Sequence, residues 1–277
     1  MCEDQHAPRS PSTNPGTRSP IAKHSIKVYC QNIHKFHSNA AYHSLIHKGA
    51  ENRLKELFAR VAKKAKVKIH VIWTGDAKTQ KVANRDIVIY FVKDFDNGLI
   101  KPYLEKLIRT TTGSERRDAE AALNKVKGSK EGGLTFRRDT TADAWTIAEV
   151  YVDTCFAAVP QTPGATNYKA QLETWTGRMM GNAAFHEAMH VKVDPLSGAT
   201  NIHGTGGGGL ANPKFGYDAK ATNKNIAEMA KAIKRLRPPY ILGKTQPPKK
   251  KATKKKAPAR KKTAPRLDTT VDPDKLF

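Results

Sequence analysis

The requirement that one helix present two imidazoles on a single face constrains this chain more than any other feature. The run Phe185-His186-Glu187-Ala188-Met189-His190 lies in a segment, 168–192, that reads as one long helix. Residues four apart on a helix sit on one face, one turn above the other. His186 and His190 can therefore hold one zinc ion between them. Glu187, one step round, reaches a zinc-bound water rather than the metal. Upstream, Leu172, Trp175, Met179 and Ala183 recur at steps of three and four, and the same steps continue onto His186 and His190. The expected metal face thus prolongs a buried stripe, which suits the floor of a cleft. Chance alone produces the His-Glu-x-x-His pattern in roughly one such chain in fifty at ordinary composition, so the helical context is what gives it weight. The alternative is a helix with two hydrogen-bonded histidines and a solvated glutamate.

The 277 residues fit one domain of about 200 residues with tails, or two small domains. A domain of that size buries a full core without staples. The three cysteines, Cys2, Cys30 and Cys155, have no regular spacing, which argues against a disulfide framework and for a reducing compartment. They also exclude a cysteine-based zinc ribbon. The N-terminus has no basic region followed by an apolar run, and no stretch approaches membrane-span length, so neither a signal peptide nor a membrane segment is expected. A cytoplasmic or nucleic-acid-associated location follows as an expectation.

The formal net charge is +24. Residues 244–266 carry eleven Lys or Arg and no acid, leaving +13 on the remainder. Polyanions such as nucleic acid are the expected partners, with a merely solubilising tail as the alternative. Residues 1–24, rich in Pro, Ser, Thr and Gly, and the Lys/Pro/Ala-rich segment 244–277 are expected to be disordered, which leaves 25–243 as the folded domain.

Within that domain, 26–33 reads as a first strand and 51–66 as a helix with Leu54, Leu57, Phe58 and Val61 inward. Alternation over 67–73 predicts a strand. The β-branched and aromatic run 86–92 predicts a central one. A short helix is expected over 99–110, then over 115–133 a charged helix running into a mobile exposed loop. Residues 145–157 read as a further strand, 160–166 as a turn-rich linker, and 223–236 as an amphipathic helix with Ile226, Met229, Ala230 and Ile233 inward. His43 and His47 have ligand spacing but no accompanying carboxylate, and read as exposed histidines on a loop and short helix.

This order of elements, with His-Glu-x-x-His on its helix, resembles the zincin metallopeptidases over about 26–239. The resemblance implies an α+β fold in which a twisted mixed sheet packs on the metal helix, with one further C-terminal helix. It implies a peptide substrate lying along the edge strand above the cleft. It also implies one zinc per chain, held by His186 and His190, with Glu187 as general base in peptide hydrolysis. A catalytic zinc normally takes three protein ligands and a water. The extended metzincin pattern fails, because Val193 and Leu196 stand where Gly and a third His belong. Three candidates remain: His203 in a Gly-rich loop, Asp194 just past the helix, and Glu228 on the last helix, as in gluzincins. His203 is preferred, since imidazole is the usual ligand and the flanking glycines permit a tight return. Tyr217 or a backbone donor near Gly206 to Gly209 is a candidate second electrophile. His203-Gly204 and the basic tail also resemble the SprT-like proteases, which digest proteins crosslinked to DNA. Two rival readings stay open. One is a non-enzymatic nucleic-acid-binding protein with a structural or degenerate motif; the other is a delivered effector or toxin protease.

Overall fold

The computed structural model describes residues 25–73, 82–126, 132–137, 146–159, 162–193 and 219–236. His203, Asp194, Tyr217, Gly206 to Gly209 and the segments expected to be disordered, 1–24 and 244–277, lie outside them.

The fold is mixed α and β. Five strands form one mixed sheet in the order β2-β1-β3-β5-β4: β1 (Ile26–Asn32), β2 (Ile69–Trp73), β3 (Ile87–Val92), β4 (Gly133–Arg137) and β5 (Thr146–Tyr151). All neighbours are parallel except β4, which runs antiparallel to β5 at the sheet edge. The run 86–92 is central as expected, and both its faces are covered. Ile87, Ile89 and Phe91 enter one core while Tyr90 and Val92 enter another. Burial on both sides is why this strand reads as a continuous apolar run rather than an alternating one.

On one face lie α1 (Ala40–Ala65), α6 (Arg178–Lys192) and α7 (Ala219–Lys234). On the other lie α2 (Ile100–Thr110) and α3 (Gly113–Val126). Short helix α4 (Val152–Ala157) follows β5, and α5 (Tyr168–Gln171) forms the first turn of the 168–192 helix. The inward residues expected for α1 and α7 are all buried. Among the described residues, no helix is long and apolar enough to cross a membrane.

Tertiary contacts revise several sequence expectations. Helix α1 starts at Ala40 rather than at 51, capped by Asn39 Oδ1, which accepts from the amides of Ala41 (2.9 Å) and Tyr42 (3.3 Å). His43 and His47 are thus half-buried residues of α1, not exposed loop residues. His47 packs its ring 4.6 Å from Trp73, and His43 Nδ1 accepts from the Phe36 amide at 3.0 Å. The helix expected within 115–133 is α3, and segment 133–137, of which only Gly133 belongs to that stretch, is the edge strand β4. Residues 145–157 divide into β5 and α4.

The 168–192 helix is continuous but contains a π-helical stretch, Leu172–Gly177. The wider turn moves Thr176, not Trp175, onto the buried side. Trp175 is 44% exposed, so it does not belong to the expected stripe. Beyond it α6 is buried all round from Met179 to Met189, a central helix rather than a one-faced one. What lets α1 lie so close to it is glycine. A Cβ at Gly49 would stand 2.0 Å from the Glu173 carbonyl oxygen, and one at Gly177 would stand 2.5 Å from that of Ile46.

Candidate metal centre

His186 and His190 occupy the last two turns of α6. Their Nε2 atoms are 3.0 Å apart, with the rings edge-on at 82°. Two ring nitrogens so placed repel unless a proton or a cation lies between their lone pairs. An ion at a zinc–imidazole distance of about 2.0–2.1 Å from each nitrogen would bridge them at an angle narrower than the tetrahedral one. His186 and Glu187 are buried and His190 is half-buried. Ligand-capable atoms of the three lie within 4.8 Å of one another, and among the described residues this is the one such group.

Glu187 sits beneath the edge strand. Its Oε2 accepts a hydrogen bond from the Thr135 hydroxyl at 2.7 Å, and the same hydroxyl lies 3.1 Å from the Glu187 carbonyl oxygen. At Gly133 a side chain would intrude: a Cβ there would stand 2.8 Å from Glu187 Oε1 and 2.5 Å from the Glu149 carbonyl oxygen. In β4, Gly133 and Thr135 face α6, while Leu134 and Phe136 pack into the opposite core. The strand thus offers the carboxylate one hydroxyl and one gap on the same face.

Comparison with models of known protein families, with curated proteins and with solved structures found no match.

Two further ionisable groups lie within electrostatic reach of Glu187. Cys155 is buried, donates to the Gly132 carbonyl at 3.3 Å, and has its thiol pushed up to about 12, by burial first and the Glu187 charge second. It remains a thiol and is not a member of the histidine group. Glu149 of β5 is also buried, pointing to the face opposite α6. Its Oε1 accepts from the amides of Leu99 and, at 3.0 Å, Ile100, so it caps α2 from a distant strand. Burial pushes its carboxyl up to about 7. The two amides and Tyr151 pull it down, and Glu187 adds to the rise.

Of the candidate third ligands, only Glu228 is described. Its carboxylate stands 3.9 Å from Lys231 Nζ on its own helix and does not join the group. Sequence reasoning overlooked Thr135, Gly133 and Glu149. For Glu149 a signal existed, a lone charge inside the apolar run of β5. For β4 the only trace was five alternating residues.

Proposed function

We propose that this chain is a zinc-dependent endopeptidase of the zincin type. The observation that carries the reading is the convergence of His186 and His190 on one side of a buried helix, with Glu187 held against the edge strand of a mixed sheet. The arrangement of layers supports it, since a mixed sheet packed on the metal helix is what the resemblance to zincins implies. His186 and His190 would hold the ion through Nε2. His203 is the preferred third ligand, with Asp194 as the other candidate; Glu228 is set aside, because it pairs with Lys231 and stands outside the group.

When bound, zinc supplies Lewis acidity that lowers the pKa of a water and polarises the scissile carbonyl. Glu187 would accept a proton from the attacking water and pass it to the leaving amine. Thr135 fixes one carboxylate oxygen and leaves Oε1 for the proton. The substrate chain lies extended along β4, whose outer edge pairs with no strand among the described residues. The tail 244–266, with eleven cations, tethers the enzyme to nucleic acid without sequence preference, through phosphates and counterion release.

The test is zinc content together with hydrolysis of an unstructured peptide. About one zinc per chain is expected, as for a mononuclear site. His186→Ala and His190→Ala lose both metal and activity, whereas Glu187→Ala keeps the metal and loses hydrolysis. A wild-type chain that takes up no zinc leaves the non-enzymatic, nucleic-acid-binding reading. Loss of zinc in Glu187→Ala as complete as in His186→Ala overturns the role given to Glu187.

A further inference from the structure

Strand β4 has an outer edge that pairs with no strand among the described residues, and its ladder with β5 fixes which backbone groups that edge presents. In an antiparallel pair, residues directly opposite each other alternate between exchanging both backbone hydrogen bonds and exchanging none. The Tyr151 amide donates to the Gly132 carbonyl at 3.0 Å, and the register sets Gly133 opposite Val150, so Gly132 and Tyr151 form a bonded pair. Two residues on, the pair Leu134 and Glu149 is bonded again, and then the pair Phe136 and Ile147. The amides and carbonyls of Leu134 and Phe136 are thus taken up by β5. Those of Gly133, Thr135 and Arg137 turn outward.

Side chains alternate with the same period, to the two faces of the sheet. The Thr135 hydroxyl bonds Glu187, and a Cβ at Gly133 would meet Glu187, so the outward-bonding residues carry the α6 face. Leu134 and Phe136 lie on the other face, where the Phe136 ring centroid is 5.1 Å from that of Tyr103. Both are half-buried, so each keeps part of its apolar side chain open. An added antiparallel strand that bonds to Thr135 places its next residues on either side opposite Leu134 and Phe136. Those pairs are of the unbonded kind toward the new strand, in which Cα atoms come to about 4.5 Å and facing side chains pack. The residue between them turns its own side chain to the α6 face. A second copy of this chain is the poorer occupant, because a formal net charge of +24 on each copy opposes self-association.

We infer that β4 selects its peptide by a two-residue period. The segment it takes is extended and carries apolar side chains at two positions two apart, which pack on Leu134 and Phe136. The residue between them bonds through its backbone to Thr135 and faces α6. Leu134 and Phe136 are therefore specificity-determining residues on the face of the sheet away from Glu187. Main-chain bonds along a free edge supply affinity, and alternate side chains supply the choice. The inference deepens the peptidase reading above and rests on it for the fate of the bound segment; the pairing itself uses no metal.

The test uses the full-length chain and fluorescent unstructured peptides of equal composition and charge, in high salt to screen general attraction to a basic protein. In one peptide two leucines are separated by a serine; in another the same leucines are adjacent. Two more copies of the spaced peptide are N-methylated, one at the serine and one at a leucine. Binding is read on Glu187→Gln, which lacks the proposed general base and keeps the peptide intact, and kcat/KM on the zinc-loaded wild type. The spaced peptide is expected to bind tighter, and to be cleaved faster, by about tenfold, the effect of burying most of one further leucine. N-methylation at the serine, whose amide faces Thr135, lowers affinity about three- to tenfold, the worth of one backbone hydrogen bond. At a leucine, whose amide points away from β4, it leaves affinity unchanged. Leu134→Gln and Phe136→Gln each remove most of the preference for spaced leucines. Both side chains also pack in the second core, so the peptide series, which leaves β4 intact, is the independent measurement. Preferential binding of the spaced peptide without hydrolysis of any peptide supports this pairing and overturns the peptidase reading. Hydrolysis with no preference between spaced and adjacent leucines overturns the inference and leaves that reading in place. Equal effects of N-methylation at both positions overturn it too. So does a dimer of the full-length chain that either Gln variant dissolves, which gives the edge to a second copy.

Discussion

A hydroxyl placed 2.7 Å from the Glu187 carboxylate sets how that side chain stands beneath β4. A hydrogen bond to a charged group contributes about 1.5–3 kcal/mol, so Thr135→Val is expected to lower peptide turnover by about tenfold or more. Thr135→Ser restores most of it, and neither substitution changes zinc content. Comparing kcat across the three proteins checks this; a Val variant with wild-type turnover removes Thr135 from the argument. Glu149 poses a different question, because its buried carboxyl is raised from 4.5 to about 7. The folded chain therefore binds a proton that the unfolded chain has released between those values. This group's contribution to stability is full below about pH 4.5 and is lost as pH rises through about 7. A rise of that size corresponds to about 3 kcal/mol. Glu149→Gln, whose amide oxygen can still cap α2, is expected to be more stable than wild type at pH 8. The gap should close as pH falls toward 4.5, as measured by urea unfolding at several pH values. A gap independent of pH contradicts the cause assigned.

Among the elements, the crossing of α1 and α6 controls where the histidines sit. Gly49 and Gly177 meet with no room for a methyl group, and at Gly181 a Cβ would stand 2.8 Å from the Ala50 carbonyl oxygen. Alanine raises intrinsic helix stability by up to about 1 kcal/mol over glycine. Even so, Gly49→Ala and Gly177→Ala are expected to destabilise by about 3 kcal/mol or more, at or above the usual cost of overpacking. Denaturant midpoints measure this, and a stabilised Gly49→Ala would show that the helices are not in backbone contact. Strand β4 is the second positioning element. Gly133→Ala pushes against both Glu187 and the Glu149 backbone, so it should reduce hydrolysis more than zinc retention.

For the whole molecule, the one sheet serves two cores and divides labour between its faces. The α1, α6 and α7 face holds the His186, Glu187 and His190 group. The α2 and α3 face holds the packing that Glu149 anchors. Net charge acts at this scale. If six to ten of the cations in 244–266 reach phosphates, affinity for duplex DNA should fall roughly 10³- to 10⁵-fold between about 50 and 200 mM salt. Removing 244–277 should reduce that salt dependence and leave peptide cleavage intact, since every described site residue lies before 237. Parallel titrations of the full and shortened chains decide it, and equal slopes would show that the tail takes no part.

Local geometry is what the sequence by itself determined. The i,i+4 spacing brings His186 and His190 together on any α-helix. The apolar periods of α1 and α7 are satisfied by the faces they bury, and the unbroken run of β3 marked a strand covered on both sides. Contacts between distant segments decided the rest. Trp175 left the buried stripe because a π-helical stretch, formed where Gly49 crosses Glu173 and Gly177, changed the count of residues per turn. His43 and His47 became half-buried because Trp73 and Phe36 close over them. Residues 133–137 became a strand because β5 was there to pair with, and only that pairing set Thr135 and Gly133 against Glu187. A helix face follows from neighbours in the chain, whereas a strand edge, a glycine contact or a buried carboxyl follows from partners far along it.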